Sequence, residues 1–418
     1  MPEIIVQGGQ QLRGTVGVGG AKNAALKEMV ATILAPGRHQ LTNVPNIDDV
    51  RLMGDVLSHL GCHIRRENGS LWIVTPDGLT PEAPLELVRQ MRASIVVLGP
   101  LLARCGEARV ALPGGDDLGA RPIDMHLQGL ERMGASFRLV HGVLEASAES
   151  GLTGAEVELS FPSVGATENL MLAGALAKGD TTIVNAAREP EISDLAEHLI
   201  AMGAVINGAG TPILHVEGVA DLSPVQHRVI PDRLEAGTFA VAAAMSGGDI
   251  TVTGCIPTHL RMELAKLEES GSEVERGDGW LRVKGPTYPH PVDFATLPYP
   301  GFHTDMHPQM VALLSVADGT SIVTENLYDA RFRYVGELAR MGADITTESQ
   351  HAVIRGVKEL SGCPVLAPDI RAGAALVLAG LRADGTTTVG DAYHIDRGYE
   401  DLVGKLRNLG AAIDRRDA

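Results

Sequence analysis

Aromatic residues are scarce in this sequence: six phenylalanines, six tyrosines and two tryptophans make up 3% of 418 residues. With 44% hydrophobic content, any core must therefore be aliphatic, built from Ala, Val, Leu, Ile and Met. Cysteine is rarer still. Cys62, Cys105, Cys255 and Cys363 lie too far apart for a zinc-ligand pattern or a secreted disulfide framework, and read as free thiols in a reducing compartment. The opening MPEIIVQGGQ lacks a basic segment followed by an apolar run, and nowhere do about 18 apolar residues follow one another. The expectation is a cytoplasmic protein without a membrane partner.

Positive charge is also short, with 35 Lys and Arg against 52 Asp and Glu, a net charge of −17. Binders of nucleic acid or anionic membranes spread cations over a face, so neither is expected as a partner. Phosphates, if bound, must be met by a few local clusters. A charged fraction of 21% beside so much aliphatic content excludes a disordered chain. The length predicts two or more domains.

What the sequence has in plenty is glycine, 49 residues, and much of it is periodic. A helix-ending phrase recurs as LSHLGCHI, LERMGASF, LIAMGAVI, LEESGSEV, LARMGADI and LRNLGAAI, with its glycine at Gly61, Gly134, Gly203, Gly271, Gly342 and Gly410. The spacing is about 70 residues, a period that sets the architecture. Glycine after an amphipathic helix is a left-handed stop, and the β-branched residues beyond it predict a strand. A second phrase keeps the period: an Ala/Leu/Val-rich helix, a glycine turn and a Thr/Val/Ile strand, as in TENLMLAGALAKGDTTIVN and GTFAVAAAMSGGDITVTG. Each unit thus predicts one helix apolar all round and buried, and one amphipathic helix facing solvent.

The final strand of a unit ends near glycine in LHVEG, LRVKG and AVIRG, yet the sixth unit stops at AAIDRRDA without it. The N-terminal IIVQGG supplies the missing piece. Three units over 21–231 and three over 232–418 plus 1–20 follow, with a hinge at the two crossings and a ligand cleft between the halves. The alternative is a solenoid of six stacked units, for which the period is long.

In an acidic chain the informative cations are those stranded among glycine and aliphatics. Lys22 in VGGAKNAAL, Arg92 in QMRASIVVL and Arg371 in PDIRAGAAL precede the buried helix of their units, where free N–H groups and the helix dipole favour anions. Arg121, Arg331 and Arg397 fall on strand-to-helix loops. Singly, each reads as a solvated or salt-bridged residue; six at equivalent loops call for a polyanionic ligand. Asp305 in GFHTDMHPQ takes the place its sister units give to cations, and reads either as a helix cap or as a general base. The loop LPGGDDLGARP, with Asp116 and Asp117, reads either as a mobile lid carrying a carboxylate or as an ordinary glycine turn. Neither GxGxxG in a βαβ frame nor a P-loop occurs, and the 14 histidines make no HExxH. His126, His303, His307 and His394 sit near loops as polar contacts. No metal site is expected.

The segments GGAKNAAL, MRASI, PGG followed by GARPIDMH, PSVGATEN, NAAREPEI, PGFHTDM, DIRAGAALVLAG and HIDRGYE, in this order, span essentially the whole chain. Together they resemble the enolpyruvyl transferases. The resemblance implies an α/β fold: a two-domain inside-out α/β barrel, each domain three repeated βαβαββ-like units with pseudo-threefold symmetry. It implies transfer of the enolpyruvyl group of phosphoenolpyruvate to the 3-hydroxyl of UDP-N-acetylglucosamine with release of phosphate, the first committed step of peptidoglycan synthesis, without metal or organic cofactor. By motif position, Lys22, Arg121 and Arg397 should hold the phosphoenolpyruvate anion, and Asn23 should touch the intermediate. Arg92, Arg331 and Arg371 should add positive potential. The nucleotide should meet Arg121, Pro122, Asp124, Met125, Ser163, Val164, Gly165 and Leu327, and Asp305 should take the sugar hydroxyl proton.

Many members of that family carry cysteine at the position of Asp116, where it is the acid and the group alkylated by fosfomycin; others carry aspartate. The resemblance therefore implies Asp116 as general acid and resistance to fosfomycin, with an acid raised from an ordinary value near 3.9. Phe161 departs from a lysine present in some relatives near the nucleotide. The competing readings are an enolpyruvyl transferase for another nucleotide acceptor and a catalytically silent nucleotide-binding paralogue.

Overall fold

The computed structural model describes residues 1–114, 118 and 122–417. Two compact units emerge, one containing Met1–Gly19 and Pro231–Ala418, the other Gly20–Gly115 and Pro122–Ile230.

Among the described residues each unit has three four-stranded sheets of one topology. In one of them Glu156–Glu158 runs parallel to Asp180–Val184, which pairs antiparallel with Ile213–Glu217, and Val205–Asn207 closes the edge. The six repeat glycines occupy one backbone state, with φ of 107, 96, 112, 93, 92 and 99° from Gly61 to Gly410. That left-handed turn is what ends the outer helix and aims the chain into the edge strand.

Each sheet is lined by a buried helix. The buried helices are α1 (Lys22–Ala31), α2 (Leu98–Cys105), α3 (Val164–Gly174), α4 (Arg233–Ser246), α5 (His307–Leu314) and α6 (Ile370–Arg382). In α4 every residue is buried, which the run GTFAVAAAMS allows because small side chains let backbones approach. Two of these segments differ from the expected continuous helix. Arg92–Val97 and Thr304–Met306 form 3₁₀ turns before α2 and α5 begin. Pro100 and Pro308 lie in the first turn of the α-helix that follows, where a missing N–H is tolerated; further inside a helix it would break the ladder.

The outer helix Pro190–Met202 also departs from expectation. It buries Glu191, Asp194 and His198 along with its apolar stripe rather than turning them to solvent.

Each unit closes on itself through a strand distant in sequence. Glu3–Gln7 lies between Thr386–Gly390 and Ala412–Arg416, antiparallel to both, and so completes the sheet of the truncated sixth repeat. Arg13–Gly17 runs parallel to Asp249–Thr253. In the other unit Gln226–Arg228 runs parallel to Gly37–Thr42. The two cores are largely aliphatic, as the composition requires; Phe239, Phe294, Phe302, Tyr334 and Tyr399 are the large rings of the first, which is otherwise Ala, Val, Leu, Ile and Met with Cys255.

Candidate active site

In the unit of residues 231–417, Asp305 is the centre. Its own backbone N–H is capped by His303 Nδ1 at 3.0 Å, so His303 is the N-cap and the Asp305 carboxylate is not spent on that role. Instead Oδ1 lies 3.3 Å from Arg331 Nη2 and Oδ2 lies 3.2 Å from Arg371 Nε. The side chain keeps 22% exposure, enough for one side to meet a ligand.

Both arginines are held from behind. Arg331 is 1% exposed and donates from Nε and Nη2 to the Thr304 carbonyl at 3.2 and 2.9 Å. Burial opposes its charge, yet the carboxylates of Asp369, Asp305 and Glu325 outweigh that and hold it protonated. Arg371 lies over the Tyr399 ring at 5.1 Å, and the Tyr399 hydroxyl is fixed by Thr238 Oγ1 at 2.9 Å. Burial opposes this charge too, and Tyr399, Asp305 and Asp232 outweigh it. Arg371 Nη1 is buried without a hydrogen-bond partner among the described residues. Asp369 caps α6 through the N–H groups of Arg371 and Ala372 at 2.8 and 2.9 Å, which fixes where the Arg371 side chain starts. Arg397 follows the short helix Tyr393–Asp396, half-buried and two residues before Tyr399. Leu327 is half-buried in a loop whose N–H groups are held by Glu325. Thus Asp305, Arg331 and Arg371 are in direct contact, with Leu327 and Arg397 on segments that contact their supports.

In the other unit, Lys22 opens α1 and its Nζ pairs with the buried Asp49 at 2.8 Å. Asn23 follows, its carbonyl accepting from Lys27 Nζ at 2.9 Å. Lys27 Nζ also lies 3.2 Å from Glu168 Oε1 on α3, joining the two helices. Burial pushes the Glu168 carboxyl up to about 7 despite the adjacent Lys27.

Arg92 opens its 3₁₀ turn and donates from Nη2 to the Pro122 carbonyl at 3.2 Å. Asp124 and Met125 start the helix Asp124–Arg132; Ser163 caps α3, accepting from Ala166 N at 3.3 Å, and Val164 and Gly165 are the first residues of α3. His126 brings these two helix starts together. A Cβ on Gly165 would stand 3.2 Å from the His126 ring, so only glycine fits there without displacement. Asn169 Oδ1 accepts from the Gly99 N–H at 2.7 Å, so its Nδ2 must donate to His126 Nδ1 at 3.0 Å. That bond fixes the tautomer with the proton on Nε2. Burial, then the charge of Arg92, holds the ring neutral, its pKa lowered to about 4.

Asp116, Asp117 and Arg121 lie outside the described residues. Phe161 is exposed just before the α3 cap. Reading the sequence missed Asp49, Glu168, Asn169 and Glu325, all buried. Their only signal was polarity in an apolar setting, as in GATENL and VTENL.

One group among the described residues has the spacing of metal ligands: Glu28, Asp194 and His227, with ligand atoms within 4.8 Å of one another. Its geometry is that of an ion pair. His227 Nε2 lies 3.0 Å from Asp194 Oδ1 and 3.4 Å from Glu28 Oε1, and the bonds to these carboxylates outweigh burial and raise the imidazole to about 10. Burial, then Asp194, raises Glu28 well above the usual carboxylate range.

Residues 6–406 match the family described as EPSP synthase (3-phosphoshikimate 1-carboxyvinyltransferase). The chain is 53% identical over 422 residues to the UDP-N-acetylglucosamine 1-carboxyvinyltransferase of Anaeromyxobacter sp. (strain Fw109-5), covering 100% of both chains. It is also 53% identical over 412 residues to the protein of that name from Mycobacterium leprae (strain TN), covering 99% of this chain and 98% of the relative. Among solved structures it is similar to the enolpyruvyl transferase NikO from Streptomyces tendae, with a TM-score of 0.90 and 26% identity over 100% of this chain and 99% of that one. The EPSP synthase of Acinetobacter baumannii shares the fold, with a TM-score of 0.75 at 19% identity over 100% of both chains.

Proposed function

The chain belongs to the EPSP synthase family of enolpyruvyl transferases, and from that premise we propose that it transfers the enolpyruvyl group of phosphoenolpyruvate to the 3-hydroxyl of UDP-N-acetylglucosamine. The observation that carries the reading is Asp305: a partly exposed carboxylate held by two buried arginines, beside a cap made by His303. A silent nucleotide binder has no use for such a group.

The chemistry follows from what each group can do. Asp305 accepts the proton of the sugar 3-hydroxyl as its oxygen bonds to C2 of phosphoenolpyruvate, a transfer that becomes favourable only as the oxygen is alkylated. A proton is delivered to C3, forming a tetrahedral intermediate. Return of a proton from the C3 methyl to the group that delivered one, with phosphate leaving on the electron pair of its C2–O bond, then restores the double bond. Arg371 Nη1 offers an unused N–H to the anions of this path, and Lys22, Arg121 and Arg397 take the phosphate and carboxylate. The nucleotide meets the starts of the two helices joined by His126, at Pro122, Asp124, Met125 and Ser163 to Gly165, with Leu327 contributing from its loop. Asn23 contacts the intermediate.

The C3 proton comes from Asp116. An aspartate there removes the thiol that fosfomycin alkylates, so the enzyme is resistant. Incubation with phosphoenolpyruvate and UDP-N-acetylglucosamine should release phosphate; release only with another nucleotide acceptor would overturn the reading. Fosfomycin should leave the native enzyme active and should inactivate Asp116→Cys covalently, as read by intact mass. A covalent adduct on the native protein would refute the resistance.

A further inference from the structure

We propose that Glu325 is a positioning residue whose single carboxylate sets the base Asp305 and the Leu327 loop in register with each other. The inference rests on the roles assigned above to Asp305 and Leu327. Glu325 directly follows the strand Thr320–Thr324 at 1% exposure, and a carboxyl group so deep in a protein persists only where hydrogen bonds replace water. It has four. Oε1 accepts from the N–H groups of Leu327 and Tyr328 at 2.7 and 3.1 Å and from Thr296 Oγ1 at 2.9 Å. Oε2 accepts from Thr304 Oγ1 at 2.9 Å.

The two oxygens thus serve two different segments. The Oε1 side folds residues 326–328 into a tight turn, and Thr296 reinforces it by accepting from the Asn326 N–H at 2.9 Å. The Oε2 side grips the residue immediately before Asp305. Thr304 is also the residue whose carbonyl receives Arg331, so a shift of Thr304 moves the base and one of its two arginines together. The carboxylate contributes to keeping Arg331 charged as well. A loop that contacts the acceptor sugar-nucleotide and a base that takes the proton from that sugar must be correct relative to each other to within fractions of an ångström, and one planar carboxylate is a short, stiff link between them.

The two sides can be cut separately. Thr304→Val keeps the shape but removes the hydroxyl that reaches Oε2. Its kcat should fall about tenfold while KM for UDP-N-acetylglucosamine stays within about twofold, the signature of an interaction that matters in the transition state. Thr304→Ser, which restores the hydroxyl, should recover kcat to within about twofold. Glu325→Ala releases both sides and should lower kcat and also raise KM for the sugar nucleotide several-fold. Thermal melts of each variant establish that the fold is retained; should Glu325→Ala not melt cooperatively, the two Thr304 variants decide alone. Wild-type kcat in Thr304→Val, a change confined to its KM, or no recovery in Thr304→Ser would overturn the inference. Absence of phosphate release by the wild-type enzyme would instead overturn the functional reading beneath it.

Discussion

Asp305 shows how much a single position can carry. In its sister repeats the equivalent residues Lys22, Arg92 and Arg371 are cations. Here the charge is reversed, and Arg331 and Arg371 close on it from two sides. Replacing it by Asn keeps the size and one acceptor but removes the base. The Asp305→Asn enzyme should lose at least about a hundredfold in kcat, the usual worth of a general base, with a small change in KM for phosphoenolpyruvate. A comparable loss in KM alone would assign Asp305 to binding instead. From the sequence, Asp305 reads equally as a helix cap or a base; the capping bond is made by His303 two residues earlier, a competition that no local pattern displays, and the proposed role of base draws its support from that.

At the scale of elements, the repeat was legible because its signals are local: a glycine that must adopt positive φ, an amphipathic stripe, a β-branched strand. The breaks in α2 and α5 were legible in principle from Pro100 and Pro308. The buried carboxylates were not, because their partners are far away in the chain. Glu168 meets Lys27 across 141 positions, and Asn169 receives the Gly99 N–H across 70. That last contact makes α2 and α3 a test of close packing. A Cβ on Gly99 would stand 2.4 Å from Asn169 Oδ1 and 2.5 Å from its carbonyl oxygen, so Gly99→Ala must push Asn169 away and loosen its hold on His126. The expected loss is about 1–3 kcal/mol, measured by denaturant unfolding. Gly336→Ala is the contrast: it lies in the helix Val335–Arg340 with nothing within 4 Å of a new Cβ, and should stabilise by about 0.4–1 kcal/mol through the unfolded chain. Equal effects at both positions would show that packing at Gly99 is looser than these distances say.

For the molecule as a whole, the same problem is solved in both units: a barrel of repeats must be closed by chain that is distant in sequence. One unit recruits Glu3–Gln7 into its last sheet. The other uses Gln226–Arg228, and fastens it with a buried ion pair in which His227 on that strand meets Asp194 on the outer helix and Glu28 on α1. Asp194 Oδ2 also accepts from the Ile230 N–H at 3.0 Å, extending the clasp to the end of the unit. His198 stacks on His227 at 4.7 Å between centroids and is kept neutral, lowered to about 3, first by burial and then by the charge of His227. This arrangement gives a pH dependence with a definite sign. Folded His227 holds its proton to about pH 10, whereas an unfolded histidine releases it near 6.5. Between those values the folded state binds the extra proton, so the contribution is complete below about pH 6.5 and is lost as pH rises toward 10. Urea unfolding of wild type and His227→Gln should therefore show the largest stability gap near pH 6.5 and a gap that shrinks steadily above it. A gap that is constant from pH 6.5 to 10 would mean that His227 is neutral in the folded protein and that the closing strand is held by packing rather than by charge.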